Sequence, residues 1–248
     1  YRHDYGHFVT GSTSSVQTAN SGATTLFDSN FYVLTDDFNV YKCLDNNGDA
    51  ASTVKPSGTS TSILSTGDGY KWKYMYTLSA AQQTNFLSTD FMAVATDSTV
   101  AAAAVDGAVN VVKIKTAGSG GTDGTHTNIP IRGDGTGGVV SVTVTSGAVT
   151  SVAVTTAGSG YTFATISNAQ IVAAGATNLV GAELDVIIPP KGGHGKNAVQ
   201  ELGAFFVMTN TSLEGTESAN SGDVSAVNDF RKIALLRDTT KSNSAVTG

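Results

Sequence analysis

The chain has one cysteine, Cys43, in 248 residues, which excludes an intramolecular disulfide and with it a disulfide-stapled fold. No CxxC or Cys/His cluster occurs either, so no structural zinc is expected and Cys43 reads as a small buried hydrophobe. Charge is scarce as well: 14% of residues are charged, the net charge is -6, and the basic residues are not clustered. A nucleic-acid footprint needs a basic face to displace counterions from phosphates, so no DNA or RNA contact is expected. Long apolar runs are also missing. No segment approaches the ~20 residues that span a bilayer, and the opening YRHDYGHFV lacks the apolar core of a signal peptide. The expectation is a soluble chain with no membrane span. Because it starts at Tyr1 and stops in a polar SNSAVTG tail, a fragment or a processed product is expected.

What the chain does have is glycine, 28 residues, with a visible excess of Thr, Ser, Val and Ala. That composition favours strands and turns over long helices, and the length suffices for one large or two modest cores. Val40, Tyr41, Cys43 and Leu44 precede an Asp-Asn-Asn-Gly-Asp turn and a long polar loop. Tyr70, Trp72, Tyr74 and Tyr76 then recur at every second position, the period of a strand with one buried face, with Lys71 and Lys73 on the opposite face. The segment SAAQQTNFL predicts a short helix capped by Ser79, followed by a Phe-Met-Ala-Val strand.

From Ala101–Ala104 and Asp106-Gly107 the composition shifts to Gly, Thr and Val, up to about Ile166. Within that stretch VVKIKTAGSGGT and VAVTTAGSGYT match each other, each an alternating strand ending in Thr-Ala-Gly-Ser-Gly, which implies a small β module. Between them VVSVTVTSGAVTSVAV predicts a hairpin with a Ser-Gly turn. Larger apolar residues return in LDVIIPP, LGAFFVMTNTSL and FRKIALLRD. The economical topology pairs these late strands with the early aromatic ones. The expected fold is therefore mainly β: a discontinuous β-sandwich-like main domain with short helices, residues 1–106 and 168–248, carrying an inserted Gly/Thr/Val-rich β module at 107–167.

Several motifs match catalytic patterns only in part. GDGTGG, Gly133 to Gly138, fits GxGxxG but continues into a strand where a dinucleotide fingerprint must open a helix. IIPPKGGHGKNAVQELG approaches a phosphate loop, yet Pro190 stands where its first Gly belongs and Asn197 where Ser or Thr binds magnesium. The segment reads instead as a tight turn with positive-φ glycines, His194 bonding local backbone, and a helix starting at Asn197. Asp45-Asn46-Asn47-Gly48-Asp49 opens like a calcium loop, but Ala50 and Pro56 replace the Gly and Glu that an EF-hand needs. His3 and His7 lie in a terminal polar loop and His126 in a Gly/Thr/Asp loop. Asp36, Asp37, Asp68, Glu201, Glu214, Glu217, Asp223 and Asp229 are carboxylates of the kind any solvated β protein offers. No enzyme activity, cofactor or metal is expected.

Three blocks carry a family resemblance. Val40 to Asp45 matches V-Y-[KR]-C-L-D, and Gly67 to Trp72 matches G-D-G-Y-x-W. Pro189 to Gly195 matches P-P-x-G-G-H-G, followed by E-L-G at Glu201 to Gly203, and Asn228 to Arg237 matches N-D-[FY]-R-x-[IV]-x-L-[LV]-R. In this order they resemble the baseplate wedge subunit, gene product eight, of T4-like contractile-tailed bacteriophages. The resemblance covers about half the chain, residues 31–45, 67–94 and 187–238, and leaves the Gly-rich module outside. It implies a structural virion protein of the phage tail baseplate: a β-rich homodimer that acts by assembly with other wedge proteins. It marks Tyr41, Cys43, Gly69, Tyr70, Trp72, Pro189, Pro190, Gly192, Gly193, His194, Gly195 and Arg231 as structural or assembly residues. The competing expectation is a carbohydrate-binding or adhesin module on a virion or cell surface, with an exposed tyrosine such as Tyr161 in contact with sugar.

Overall fold

The computed structural model describes residues 31–48, 50–88, 91–204 and 207–208. His3, His7, Arg231 and the FRKIALLRD segment lie outside the described residues, as does most of LGAFFVMTNTSL. The architecture is mainly β, with short helices between small antiparallel sheets. Among the described residues no helix is long and apolar enough to cross a membrane.

The first sheet has the order β1 (Tyr32–Leu34), β2 (Asn39–Asp45), β4 (Lys71–Thr77), β3 (Leu64–Ser65), all antiparallel. The aromatic alternation forms β4 as expected, but its register is interrupted. Tyr41 pairs with Tyr74 and Val40 with Tyr76, so Met75 is an extra residue bulged out of the ladder. A bulge of one residue transfers everything beyond it to the other face. Tyr70, Trp72 and Tyr74 consequently pack with Phe31, Tyr41 and Cys43 on one side, whereas Tyr76 joins Met75, Tyr32 and Val40 on the other. The expectation of one aromatic face against a lysine face is corrected on this point, because both faces of β4 are buried and Lys73 is only 4% exposed.

The helix expected after Ser79 is α1 (Ala80–Phe86), closed by a capping box in which Ser79 and Gln82 each accept or donate across the first turn. Phe91 to Val94 form no strand. Met92, Ala93 and Val94 pack against the second face of the sheet, and Tyr76 donates its hydroxyl proton to Ala93 O at 2.9 Å. A second short helix, α2 (Ser98–Ala103), is capped by Asp97 and was not foreseen.

The Gly/Thr/Val stretch builds β5 (Val111–Ser119), β6 (Gly124–Pro130), β7 (Arg132–Gly133), β8 (Val139–Thr145), β9 (Ala148–Thr156) and β10 (Ala164–Thr165). The predicted hairpin is β8–β9, and Ser146 (φ 54°) with Gly147 (φ 79°) supplies the two positive-φ positions of a type I′ turn. Along β8, Val140, Val142 and Val144 are buried and Ser141 and Thr143 face outward. The two Thr-Ala-Gly-Ser-Gly copies repeat in the backbone too: φ is 69° and 77° at Gly118 and Gly120, and 65° and 74° at Gly158 and Gly160.

One pairing differs from expectation. The strand at LDVII, β11 (Val180–Ile187), runs antiparallel to β5 and not to the aromatic strands. Its alternate residues Ala182 and Leu184, together with Ile171 on the capped helix α3 (Asn168–Ala173), complete a core with Val112, Ile129 and Val142. The apolar core of the Gly-rich region thus extends from Val109 to Leu184, past the expected limit at 167. β5 alone would leave Val112 and its neighbours uncovered, and β11 buries them.

Candidate functional site

After β11 the chain passes through Pro189-Pro190 and turns sharply over residues 191–196 before the single-turn helix α4 (Ala198–Glu201), in which Asn197, read from the sequence as the first helical residue, is the N-cap. The turn is bonded internally by Gly193 N–H to Pro190 O at 2.8 Å and Lys196 N–H to Gly193 O at 3.2 Å. Its glycines are required by space as well as by torsion. A Cβ at Gly193 (φ 90°) would lie 2.3 Å from Val105 O, and one at Gly195 (φ 86°) 2.5 Å from a Val100 methyl. Gly192 N–H meanwhile donates to Asp106 Oδ1 at 2.6 Å. These contacts seat the turn against α2 and the chain that enters the Gly-rich region.

Beneath the turn lies a buried charge cluster. His194 Nδ1 is 2.6 Å from Glu201 Oε1, and Gly195 N–H donates to Glu201 Oε2 at 2.7 Å, so both carboxylate oxygens are engaged. From the sheet, Lys42 places Nζ 3.6 Å from Glu201 Oε1 and donates to the Glu201 backbone carbonyl at 3.1 Å. Lys73, directly opposite Lys42 in the β2–β4 ladder, donates to Thr61 O and feels the charge of Glu201. Glu201 is 6% exposed and His194 9%.

Burial pushes the Glu201 carboxyl up, but the His194 hydrogen bond, the charge of Lys42 and the Gly195 N–H outweigh it and hold the carboxyl below its usual range. Burial also pulls the Lys42 and Lys73 ammonium groups below their ordinary value, with Glu201 drawing them part of the way back. A carboxylate in such a setting is a structural counter-ion for two desolvated cations. Removal of either partner leaves a charge without compensation.

Tyr41, Cys43, Tyr70 and Trp72 are buried in the aromatic sheet. Cys43 packs beside Trp72, its ladder partner, and Trp72 stacks on Tyr70 at 5.5 Å and 18°. Tyr41 meets Tyr74 edge to face at 5.8 Å. The tyrosine hydroxyls pin the long polar loop: Tyr70 donates to Ala50 O at 2.5 Å and Tyr41 to Gly58 O at 2.6 Å. Asp68 completes the clamp by accepting from Ser52 Oγ and from the Thr53 and Val54 amides. Thr66 also donates to it, and these donors hold its carboxyl well below the usual range. Gly69 (φ 83°) forms the turn before β4, and a Cβ there would meet the Asn47 side chain at 2.7 Å. Pro189 is buried and Pro190 exposed.

Three expectations about individual residues are corrected. His194 bonds a carboxylate seven residues on and not local backbone. Tyr161 is 2% exposed, and its hydroxyl accepts from Gly138 N–H at 3.1 Å and donates to Ile131 O at 3.2 Å, so no face is open to stack on a sugar. His126 belongs to β6 and not to a loop, with Nε2 2.9 Å from Thr122 O. Among the described residues no three His, Cys, Asp or Glu side chains converge as metal ligands.

Lys42, Lys73 and Glu201 are the members of the cluster that the sequence did not single out as partners. The available signal was Lys42 and Lys73 themselves, each set between buried apolar residues of its strand. A comparison with protein-family models, one with curated proteins and one with solved structures each find no match for this chain.

Proposed function

We propose that the chain is a structural virion protein, a baseplate wedge component of a contractile phage tail, working through protein–protein assembly as a homodimer among other wedge proteins. One observation carries this reading. The matched motifs that lie within the described residues sit about the two ends of one buried network, in which Glu201 and the Gly192–Gly195 turn are tied to Lys42 and Lys73 of the aromatic sheet. Residues separated by 159 positions therefore meet in a rigid junction. Such a junction suits a part that must keep its shape while neighbours pull on it. The Gly-rich region adds a second core to the part, packed from aliphatic side chains.

The test is association. The full chain, mixed with the other wedge proteins of a contractile phage, is expected to sediment as a dimer or larger and to co-migrate with at least one of them. A strict monomer at high concentration that ignores every wedge protein would overturn the reading. Reproducible binding on a glycan array would favour the adhesin alternative in its place.

A further inference from the structure

Asn47 is the only asparagine of the chain that is followed by glycine. Both residues are exposed, and both have positive φ, 49° at Asn47 and 63° at Gly48, so they form the corner of the turn that follows β2. Beyond its chain neighbours, nothing lies within 4 Å of the place a Gly48 Cβ would take. The Gly48 nitrogen is therefore shielded neither by a side chain of its own nor by packing from elsewhere.

That arrangement favours attack of a backbone amide on the side chain before it. Gly48 N gives up its proton to solvent base and bonds to Asn47 Cγ, the Cγ–Nδ2 bond breaks, and ammonia leaves as a succinimide ring closes. Water then opens the ring at one carbonyl or the other, to give aspartate or an isoaspartate in which the main chain runs through the former side chain. Water is the only co-reactant. Asn47 is held by exposed bonds, Nδ2 donating to Asp68 O and the amide N–H to Asp45 Oδ1, each at 3.1 Å. Water replaces exposed bonds at small cost, so the corner can open to react. Asn39, Asn168 and Asn197 differ on both counts. Each accepts a hydrogen bond at its side-chain oxygen, and each is followed by a residue with a Cβ, Val40, Ala169 or Ala198.

The position of Asn47 gives the reaction a consequence. Its carboxamide lies over the Asp68-Gly69 corner, within 2.7 Å of where a Gly69 Cβ would stand. Asp68 is the clamp of the polar loop, accepting from Ser52 Oγ at 2.8 Å, Thr53 N–H at 2.8 Å and Val54 N–H at 3.0 Å. Conversion turns the donor that faces Asp68 O into an anion beside a carbonyl oxygen and beside a residue that is itself charged, and like charges at close range repel.

We propose that Asn47 is a site of spontaneous deamidation and that its conversion to a carboxylate loosens the hold of Asp68 on Ser52, Thr53 and Val54. Tyr70 at Ala50 O and Tyr41 at Gly58 O still fasten the loop on either side of that segment. The change therefore frees the middle of the loop and leaves the aromatic sheet folded.

The experiment incubates the full chain in mildly alkaline buffer and follows it by peptide mapping and by amide hydrogen exchange. Asn47 is expected to show the mass gain of an amide-to-acid change before any other asparagine, with isoaspartate forming beside aspartate. In the converted chain the Thr53 and Val54 amides should exchange roughly tenfold faster, the factor that one net hydrogen bond contributes. Asn47→Asp carries the charge from the start and should show the faster exchange without incubation. Asn47→Gln, whose longer side chain closes a ring far less readily, should keep its amide. The proposal is overturned if another asparagine converts first, or if Asn47 stays intact in the folded chain while a short peptide of the same sequence converts. Unchanged exchange at Thr53 and Val54 in both the converted chain and Asn47→Asp would overturn it as well.

Discussion

The aromatic sheet, residues 31–88, and the Gly-rich region, residues 109–188, solve the same packing problem by different means. The sheet buries large side chains that carry polar tips, and each tip must find a partner: Tyr41 at Gly58 O, Tyr70 at Ala50 O, Tyr76 at Ala93 O. It also buries lysines on one face and must import a carboxylate, Glu201, from far along the chain. The Gly-rich region uses Val, Ile and Leu, with Tyr161 as its buried aromatic, and depends on tight turns. Aliphatic cores tolerate small changes by repacking, whereas a polar network fails when one member is lost. The aromatic sheet should therefore be the brittle half and the Gly-rich region the forgiving one.

The sharpest way to break this contrast is Glu201→Ala. It leaves Lys42 and Lys73 without their counter-charge and His194 without its hydrogen-bond partner, and is expected to cost about 3–5 kcal/mol in urea unfolding. Trp72 fluorescence, a probe of the sheet alone, should register the loss at lower urea than circular dichroism does. A cost below about 1 kcal/mol would mean that the cluster is not a structural junction.

Next is Ile129→Ala, a fully buried side chain in the aliphatic core, with an expected cost of roughly 2–5 kcal/mol. If the two regions are separable, the Trp72 signal should keep its wild-type midpoint while circular dichroism shifts. Coincident loss of both signals would show one cooperative unit and remove the contrast.

Gly193→Ala tests the turn that joins the halves. The positive φ alone costs about 1–2 kcal/mol, and the clash with Val105 O adds to it. Thermal melts should show the loss, and a neutral result would mean that the turn can move away from α2.

The smallest effect concerns pH. The Glu201 carboxyl is held below its ordinary value of 4.5 in the folded chain, so its contribution is complete above about pH 4.5 and is lost as pH falls through the folded value. Buried Lys42 and Lys73 have the opposite origin but the same slope. Their lowered values mean that the folded chain binds fewer protons, so their penalty eases only as pH climbs towards the ordinary 10.5. Urea midpoints between pH 6 and pH 3 should therefore fall more steeply in the wild type than in Glu201→Gln. Parallel curves would assign the acid sensitivity to other carboxylates, of which Asp68 and Asp134 are also held low.

The parts that were legible in the sequence are those with local causes. The β8–β9 hairpin follows from strict alternation about Ser146-Gly147, α1 from Ser79 and Gln82, and the glycine turn from Gly192, Gly193 and Gly195. The bulge at Met75 was not legible, because both Met and Tyr suit either face of a buried strand. Nor was the partner of β11, since its alternating apolar residues would have suited the aromatic sheet as well as β5. In the candidate site His194 and its glycines were visible as a turn, while Lys73 read as lying on a polar face through its charge and Lys42 drew no reading.

By itself the amino-acid sequence determined the mainly β character, the β8–β9 hairpin, the Ser79 cap and the position of the turn, because each depends on residues within a few positions of one another. Only the tertiary structure decided that Lys42, Lys73, His194 and Glu201 share one buried cluster. Burial and counter-charge are properties of what comes to lie nearby in space, and for this chain the neighbours come from opposite ends of the described sequence.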